Sequence, residues 1–288
     1  MASAYFPEQI DRFLALIQLP PRFHPSHDPP RDIILLNTLH THCISTIPYE
    51  NLSLHYSPRK GVSLDPQDLY RKIVLDGRGR GGYCMEASLF FLHMLRGVGF
   101  EAYPVGVRIR LRMDGVPAGP YVGWVHIVSI VTLGDSGRWV VDVGFGGDVA
   151  TRPLPLSEGR VTRNLSTQDI RLIRDYIPEQ TQRGDEERKL WIYQYRNGPE
   201  RDWKSYYAFH PGLEFMPADF DVMCGKVLVH FDQPESQSDL HAIGHTLPAA
   251  PEHGSAGRRG DLRQADAGQR QHHREPRRKD GCTAGVPE

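Results

Sequence analysis

The segment Arg78–Glu86 places a cysteine where nucleophilic chemistry is feasible. It reads RGRGGYCME, and Cys84 falls at the predicted start of a helix. The backbone N–H groups and the positive dipole end of a first helical turn favour a thiolate over a thiol, and Arg80 could add positive charge. The thiolate is the form of cysteine that attacks an electrophile. The alternative is a cysteine buried in a core helix, the usual environment of a lone cysteine.

A histidine and an aspartate downstream could supply the base and the orienting carboxylate that a cysteine nucleophile needs. His126 lies within a predicted strand, where a histidine is more often a core residue. Asp142 lies in the apolar run Trp139–Val143, where an acid is costly unless it is paired. Gly134–Gly137 separates the two strands and predicts a hairpin that could bring both side chains together. We therefore predict a triad of these two residues with Cys84.

The remaining chemical motifs give weaker signals. The glycine-rich segment before the cysteine lacks the pattern of a phosphate-binding loop, and a single RGG triplet is a weak signal for RNA binding. Gly144–Gly147 does not complete a dinucleotide fingerprint. His40 and His42 are two residues apart on a predicted helix, so they do not share a face. His241 and His245 have i, i+4 spacing without cysteine or carboxylate ligands in pattern, so we predict no metal site.

The elements that must position these residues change in type near residue 99. Apolar residues at helical spacing, with proline, aspartate and glycine at the ends, predict helices over Pro7–Leu19, about Asp32–Ser45, Asp65–Gly77 and Cys84–Leu95, the last stopping at Gly97. Runs of β-branched and aromatic residues predict strands over Phe100–Leu111, Val122–Leu133, Trp139–Val143, Asp169–Ile177, Leu190–Tyr195 and Trp203–His210. A short helix is predicted over Met216–Met223. Helices followed by antiparallel strands favour an α+β fold.

These residues closely resemble motifs of the arylamine N-acetyltransferases. The matching segments are Ile47–Leu52 (IPYENL), Arg80–Glu86 (RGGYCME), the strand His126 and Val141–Gly146 (VDVGFG), and their order and separations also fit the family. The combination is far more specific than any single motif. The resemblance covers about residues 5–223, and the loops are similar to those of a fungal-type member.

The resemblance implies a cysteine-protease-like, three-part α+β fold. It implies a helical domain over residues 1–97 that carries the nucleophilic cysteine, and a β-barrel-like domain over residues 98–212 that carries the histidine and the aspartate. A C-terminal α/β lid would start over residues 213–233. We expect this lid to be incomplete, because residues 234–288 lack the apolar alternation that further strands require.

The resemblance also implies a ping-pong acyl transfer. Cys84 would take an acetyl group from acetyl-CoA as a thioester, His126 would activate the thiol, and Asp142 would orient the histidine. An arylamine, arylhydroxylamine or hydrazine nitrogen would then attack the thioester, a reaction of xenobiotic detoxification. Acyl-CoA would be a co-substrate, with no permanently bound cofactor. The substrate-binding residues implied are Tyr49, Phe145, Gly144, Gly146 and Arg80. The alternative for the two aromatic residues is that they are ordinary core residues.

The acyl donor stays open at this point. Malonyl-CoA is an alternative to acetyl-CoA, and Arg108, Arg110 or Arg112 could meet its carboxylate if one of them projects into the cleft. Their default role is that of a solvated strand edge. A papain- or transglutaminase-like thiol enzyme is the competing class, because the same triad serves those chemistries.

Composition excludes several function classes. The 288 residues include 35 acidic and 34 basic side chains, so no global field would hold a nucleic acid or an anionic membrane. No apolar run has the length of a membrane span, the N-terminus does not resemble a signal peptide, and the four cysteines form no C-x-x-C pair. These features predict a soluble, cytoplasmic protein without disulfides, a monomer or a weak homo-oligomer.

The C-terminal stretch 234–288 differs from the rest of the chain. It contains no Phe, Trp or Tyr, and its only Ile, Leu and Val residues are Leu240, Ile243, Leu247, Leu262 and Val286. Such a segment buries too little apolar surface to offset its ordering entropy, so we predict a disordered tail. One hypothesis is a reading-frame change near codons 222–227, which sequencing the transcript would test. Another is a catalytically impaired product that lacks a complete lid.

Overall fold

The computed structural model describes residues 2–57, 61–147 and 150–231, without the side chains of 225–231. The tail prediction for residues 234–288, together with Cys282, His241 and His245, lies outside the described residues. Among these described residues, five α-helices precede the first strand, and a sixth follows the last. They are α1 (Pro7–Leu16), α2 (Ile33–Thr46), α3 (Leu52–Tyr56), α4 (Pro66–Tyr70), α5 (Cys84–Val98) and α6 (Pro217–Phe231). A π-helical turn, Arg71–Leu75, continues α4.

The helix starts follow local capping signals. The Asp32 carboxylate accepts the first free N–H groups of α2, and the Asp65 carboxylate does the same for α4. Several ends differ from prediction, and the last helix, predicted over Met216–Met223, continues to Phe231. The first helix ends at Leu16, not at residue 19, and Gln18 adopts a left-handed φ of 52°. The fourth predicted helix continues past Gly97 to a left-handed Gly99. Gly97 instead makes room for α1, because a Cβ there would lie 2.3 Å from the Ile10 side chain.

Eight strands form one sheet with the order β4-β3-β2-β1-β8-β7-β6-β5, and every neighbouring pair is antiparallel. The strands are β1 (Glu101–Met113), β2 (Val116–Thr132), β3 (Arg138–Val141), β4 (Leu154–Pro155), β5 (Thr162–Arg163), β6 (Gln168–Asp175), β7 (Leu190–Asn197) and β8 (Lys204–Glu214). The predicted β2–β3 hairpin through Gly134–Gly137 is confirmed. The β1–β2 hairpin extends beyond prediction, because Asp114 and Gly115 both take positive φ in a tight turn.

Strand β2 lies between two apolar cores. Ile127 and Val131 pack with the helices, in a core that also holds residues of α5 and α6. Val128 and Ile130 point the other way and pack with the aromatic residues of β7 and β8. The helical layer therefore covers one face of the sheet, and the strands' own aromatic side chains fill the other. The predicted α+β class is confirmed. Within the described chain, none of the helices combines the length and apolar character needed to cross a bilayer.

Candidate active site

Cys84 is the first residue of α5, and its thiol lies against β2. The side chain of Glu86 accepts a hydrogen bond from the Tyr83 backbone N–H at 3.2 Å, which closes the first turn of the helix. Between Val107 and Arg108 the β1–β2 register shifts, so that Val125 is an extra residue in the ladder. Its carbonyl oxygen lies 3.7 Å from the Cys84 Sγ. The bulge therefore places the thiol beside the residue that precedes His126.

The glycines before Cys84 are explained by close packing. A Cβ on Gly81 would lie 1.8 Å from the Pro48 carbonyl oxygen, and one on Gly82 would lie 2.5 Å from the Glu86 Cβ. The Glu50 N–H also donates to the Gly82 carbonyl oxygen at 3.1 Å. Glycine at position 81 permits the approach between the loop and the IPYENL segment, and glycine at position 82 permits the loop to pack on Glu86. The packing accounts for both glycines without a phosphate ligand.

A buried ion cluster holds the same loop. Lys72 bridges Glu50 and Glu86, with its Nζ at 3.0 and 2.9 Å from their carboxylate oxygens. Arg80 pairs with Glu50 at 2.9 Å and donates to Ser53 at 3.1 Å. The guanidinium is therefore occupied in holding the loop to the IPYENL segment. A contact between Arg80 and substrate stays a prediction.

His126 and Asp142 form a buried pair. The His126 Nε2 lies 2.9 Å from Asp142 Oδ2, and the two residues are 2% and 3% exposed. The predicted contact is confirmed, but the two residues are not directly opposite each other in the strand ladder. The last rung of the β2–β3 ladder joins Ser129 and Val141, so Asp142 lies just beyond the strand. Its Oδ1 accepts the Gly144 N–H at 3.0 Å. Because Nε2 is engaged by the carboxylate, Nδ1 is the ring nitrogen available to the thiol.

The pKa of the Cys84 thiol corrects the expectation that the helix start favours a thiolate. Burial raises the pKa of the Cys84 thiol, and the charges of Cys224 and Asp142 raise it further, while the backbone N–H groups of Met85 and Cys84 lower it. Desolvation thus outweighs the start of the helix. The helix terminus therefore does not by itself produce a thiolate, and proton transfer from the thiol to His126 stays a prediction.

Aromatic side chains enclose the imidazole. Phe145 lies with its ring centroid 4.7 Å from that of His126, and it also packs edge-on against Tyr206 and Tyr207 at 4.4 and 4.9 Å. On the cysteine side, burial and the adjacent Cys84 raise the pKa of the Tyr49 hydroxyl well above its usual value. The predicted lining residues Tyr49 and Phe145 therefore lie beside the thiol and the imidazole, respectively. Their contact with substrate stays a prediction.

Gly144 brings the two parts of the site together. A Cβ there would lie 3.0 Å from both the Cα and the carbonyl oxygen of Cys84, and 2.9 Å from the Ser88 Oγ. A side chain at this position would therefore require atoms of Cys84 or Ser88 to move. The role of Gly144 in binding substrate stays a prediction. Gly146 has a φ of 79°, which favours glycine for conformational reasons.

Sequence reasoning missed one residue at the site that comes from the last helix. The Sγ of Cys224, on α6, lies 2.7 Å from the hydroxyl of Tyr83, the residue before Cys84. Cys224 is 8% exposed. No motif marks it, because it is a lone cysteine 140 residues downstream of Cys84. Its position shows that α6 packs against the start of α5.

A thiol at a helix start, beside a buried histidine–carboxylate pair on a strand, is the arrangement of enzymes that use a cysteine nucleophile. The chain belongs to the N-acetyltransferase family, whose family model matches residues 32–246. The matched segment extends past residue 223, where the sequence resemblance was expected to end.

Two relatives are both named as N-malonyltransferases. The chain is similar to N-malonyltransferase FDB2 of Fusarium pseudograminearum, with 35% identity over 76% of this chain and 68% of that protein. It is also similar to N-malonyltransferase FDB2 of Gibberella moniliformis, with 36% identity over 66% of this chain but only 56% of that protein. The match to the second relative thus spans little more than half of its length.

Solved structures share the fold. The arylamine N-acetyltransferase from M. tuberculosis is 26% identical, with a TM-score of 0.62, over 77% of this chain and 73% of that chain. The Mycobacterium marinum arylamine N-acetyltransferase in complex with CoA is 25% identical, with a TM-score of 0.60, over 81% and 74% of the two chains. The fold and family expectations from the sequence are confirmed.

Proposed function

We propose that this protein transfers an acyl group from acyl-CoA to the nitrogen of an arylamine, arylhydroxylamine or hydrazine, through a thioester on Cys84. The observation that carries the proposal is the 2.9 Å bond between His126 Nε2 and Asp142 Oδ2, next to a thiol at the start of α5. The family match and the CoA complex of a structural relative support acyl-CoA as the donor.

In the first half-reaction, the Cys84 sulfur attacks the thioester carbonyl and its proton moves to His126. A bond forms between sulfur and the acyl carbon, and the bond from that carbon to the CoA sulfur breaks. The imidazolium returns the proton to the CoA thiolate. Asp142 stabilises the imidazolium in between. The Cys84 N–H, in the first turn of α5, would donate to the oxyanion of the intermediate.

In the second half-reaction, the amine nitrogen attacks the acyl carbon of the thioester. His126 takes the proton that the nitrogen loses, an amide or hydrazide bond forms, and the carbon–sulfur bond to Cys84 breaks. The sulfur leaves as a thiolate and recovers the proton from the imidazolium. A thioester suits this step because it is an activated acyl group with a good leaving group.

Access for the acyl donor is proposed through a cavity between α6 and β2. The cavity has a volume of about 500 Å³, and its lining includes Trp124, Phe215 and Met223. Trp124 precedes Val125, whose carbonyl contacts the nucleophile, and Met223 precedes Cys224, which contacts Tyr83. The cavity is thus flanked on two sides by residues that touch the start of α5.

Malonyl-CoA is the second candidate donor, and the malonyltransferase relatives favour it. Each of the three candidate arginines lies over an aromatic ring: Arg108 over Trp124, Arg110 over Tyr121 and Arg112 over Tyr206. Arg112 donates to the Tyr206 hydroxyl at 2.7 Å, and the Tyr206 ring packs on Phe145, which packs on His126. Through these contacts we single out Arg112 as the candidate partner for a malonyl carboxylate.

The decisive experiment is intact-mass analysis after incubation with acetyl-CoA or malonyl-CoA. We expect an acyl adduct on Cys84 that an aromatic amine discharges, and no adduct on the Cys84→Ala variant. The mass of the adduct identifies the preferred donor. A protein that forms no adduct but hydrolyses peptides would be a papain-like thiol enzyme, and the proposal would be wrong. A protein with no adduct that CoA does not stabilise thermally would be the impaired product.

We also propose that the enzyme works in the cytoplasm as a monomer or weak homo-oligomer, without nucleic acid as a partner. The nearly equal numbers of acidic and basic residues support the last point. Cell fractionation and sedimentation of the purified protein test these expectations, and a stable oligomer or a membrane-bound fraction would contradict them.

A further inference from the structure

A second histidine is buried against the site, and the proposed reaction does not use it. His40 lies on α2 and has no exposed surface. Its Nε2 lies 2.9 Å from the backbone carbonyl oxygen of Asp142, across a sequence separation of 102 residues. This hydrogen bond is therefore a direct polar contact between the helical layer and the residue that holds His126.

The protonation state of His40 makes it a hydrogen-bond donor. Burial lowers the pKa of His40 to about 4, so the ring is neutral near pH 7. A neutral imidazole has one N–H, and a carbonyl oxygen can only accept, so the proton sits on Nε2. The Nδ1 has no hydrogen-bond partner within the described part of the chain. The bond to Asp142 thus fixes the tautomer of His40.

Asp142 needs such an anchor because the sheet does not supply one. The β2–β3 ladder ends at the Ser129–Val141 pair, so Asp142 stands one residue beyond the last rung. Its carboxylate is held by the Gly144 N–H and by His126. Its backbone carbonyl is held by His40. Of these three partners, His40 is the one that comes from outside the β2–β3 region.

We propose that His40 is a positioning residue, whose bond to the Asp142 carbonyl sets the direction of the carboxylate and, through it, of the His126 ring. The inference rests on the proposed function, since it assigns His40 to the alignment of that triad. Without the bond, the backbone at Asp142 is free to rotate, and a buried carbonyl loses its donor. The imidazole then meets the thiol less often in the orientation that accepts its proton.

The test compares three variants on one helix. His40→Leu removes the donor with little change of volume, and His40→Gln supplies an amide N–H at a similar reach. His42→Leu is the matched control, because His42 Nδ1 makes a similar bond, 2.8 Å from the Ile17 carbonyl oxygen, away from the triad. The readouts are the pH dependence of Cys84 alkylation by iodoacetamide, acyl transfer, and thermal unfolding.

We expect His40→Leu to slow alkylation at neutral pH by about 10- to 100-fold and to move its pH profile upward. The wild-type chain, the His40→Gln variant and the His42→Leu variant should share one profile, even if the two variants unfold at lower temperatures. An unchanged profile in His40→Leu would overturn the inference, and so would equal shifts in His40→Leu and His42→Leu. If His40→Leu does not fold, His40→Asn replaces it, since its shorter amide falls short of the carbonyl.

Alkylation needs no acyl-CoA, so the two proposals can fail separately. A shifted profile in His40→Leu, together with no acyl adduct on the wild-type chain, would support the role of His40 and reject the acyl-transfer proposal. An acyl adduct together with an unshifted profile would support the acyl-transfer proposal and reject the role of His40. A wild-type profile like that of a free thiol would reject the triad and the role of His40 with it.

Discussion

The helical layer and the sheet hold their parts of the site by different physical means. At the start of α5, the loop before the nucleophile is held by ions, with Lys72 between two buried carboxylates and Arg80 on one of them. On the sheet, His126 within β2 is held by one carboxylate and by two tilted aromatic rings, those of Phe145 and Tyr207. The cysteine therefore depends on charge balance, and the histidine depends on packing and strand register.

This difference indicates which mutations the helical part and the sheet part of the site each tolerate. A buried ion cluster is costly when one partner is lost, because the remaining charges have no water to replace it. An aromatic wall loses stability roughly with the volume that is removed. Mutations can therefore unbalance either half alone, and residues that touch both halves should show effects on catalysis beyond their effects on stability.

The largest effect is expected on the sheet side, for Asp142→Asn. The amide cannot stabilise an imidazolium and favours the wrong tautomer, so acyl transfer should fall by about 10⁴-fold. Because burial raises the pKa of the Cys84 thiol, a weaker base also moves the alkylation profile to higher pH. Steady-state kinetics and iodoacetamide labelling measure both changes.

Asp135→Asn is the control for this variant, since Asp135 lies in an exposed turn of the same hairpin. It should behave like the wild-type chain. An Asp142→Asn protein that keeps within about tenfold of wild-type activity would show that the carboxylate does not act through His126.

The next effect is expected on the helical side, for Lys72→Met. Removing the ammonium leaves Glu50 and Glu86 buried, with side-chain exposures of 11% and 3%, so the free energy of unfolding should fall by about 3–5 kcal/mol. Burial already raises the pKa of Glu86, and Lys72 lowers it, so the variant raises it further. The loss of stability should therefore grow as the pH rises from the Glu86 pKa of the wild-type chain toward the higher pKa of the variant, and level off above it. Urea unfolding at several pH values measures it.

Arg71→Met is the neighbouring control. Arg71 pairs with Asp68 at 3.0 Å, but both side chains are about half exposed, so its loss should cost about 0–1 kcal/mol. Equal losses for Lys72→Met and Arg71→Met would show that burial of the cluster contributes nothing.

The smallest effect is expected where the two halves touch, for Gly144→Ala. The added methyl would press on the Cys84 backbone and on Ser88, so the Asp142–Gly144 segment must shift by a few tenths of an ångström. Acyl transfer should fall by about 10- to 100-fold, with a smaller change in unfolding temperature. Steady-state kinetics alongside a thermal melt separates the two effects.

Gly147→Ala provides the comparison, because no atom of the described residues lies within 4 Å of a Cβ there. It should leave the rate unchanged. If both alanine variants are equally active, then the close approach at Gly144 does not set the position of the thiol.

Local signals were sufficient for most of the fold. Helix starts at Asp32 and Asp65 could be predicted because a cap is an interaction between residues two or three apart. The Gly134–Gly137 hairpin was readable for the same reason, and it brought His126 near Asp142. The end of α5 was predicted too early, because Gly97 was interpreted as a stop signal, whereas it makes room for α1. The end of α1 was predicted too late.

By itself, the sequence determined which cysteine, histidine and aspartate to propose as nucleophile, base and carboxylate, since their types and spacing are carried by short motifs. The tertiary structure alone decided how the site is completed. Three contacts complete it, between residues that are 41, 141 and 102 positions apart. They are the contact of Cys84 with the bulge at Val125, the contact of Tyr83 with Cys224, and the bond from His40 to Asp142. Periodicity and capping act within a few residues, so contacts at such separations exist only once the helices have packed on the sheet.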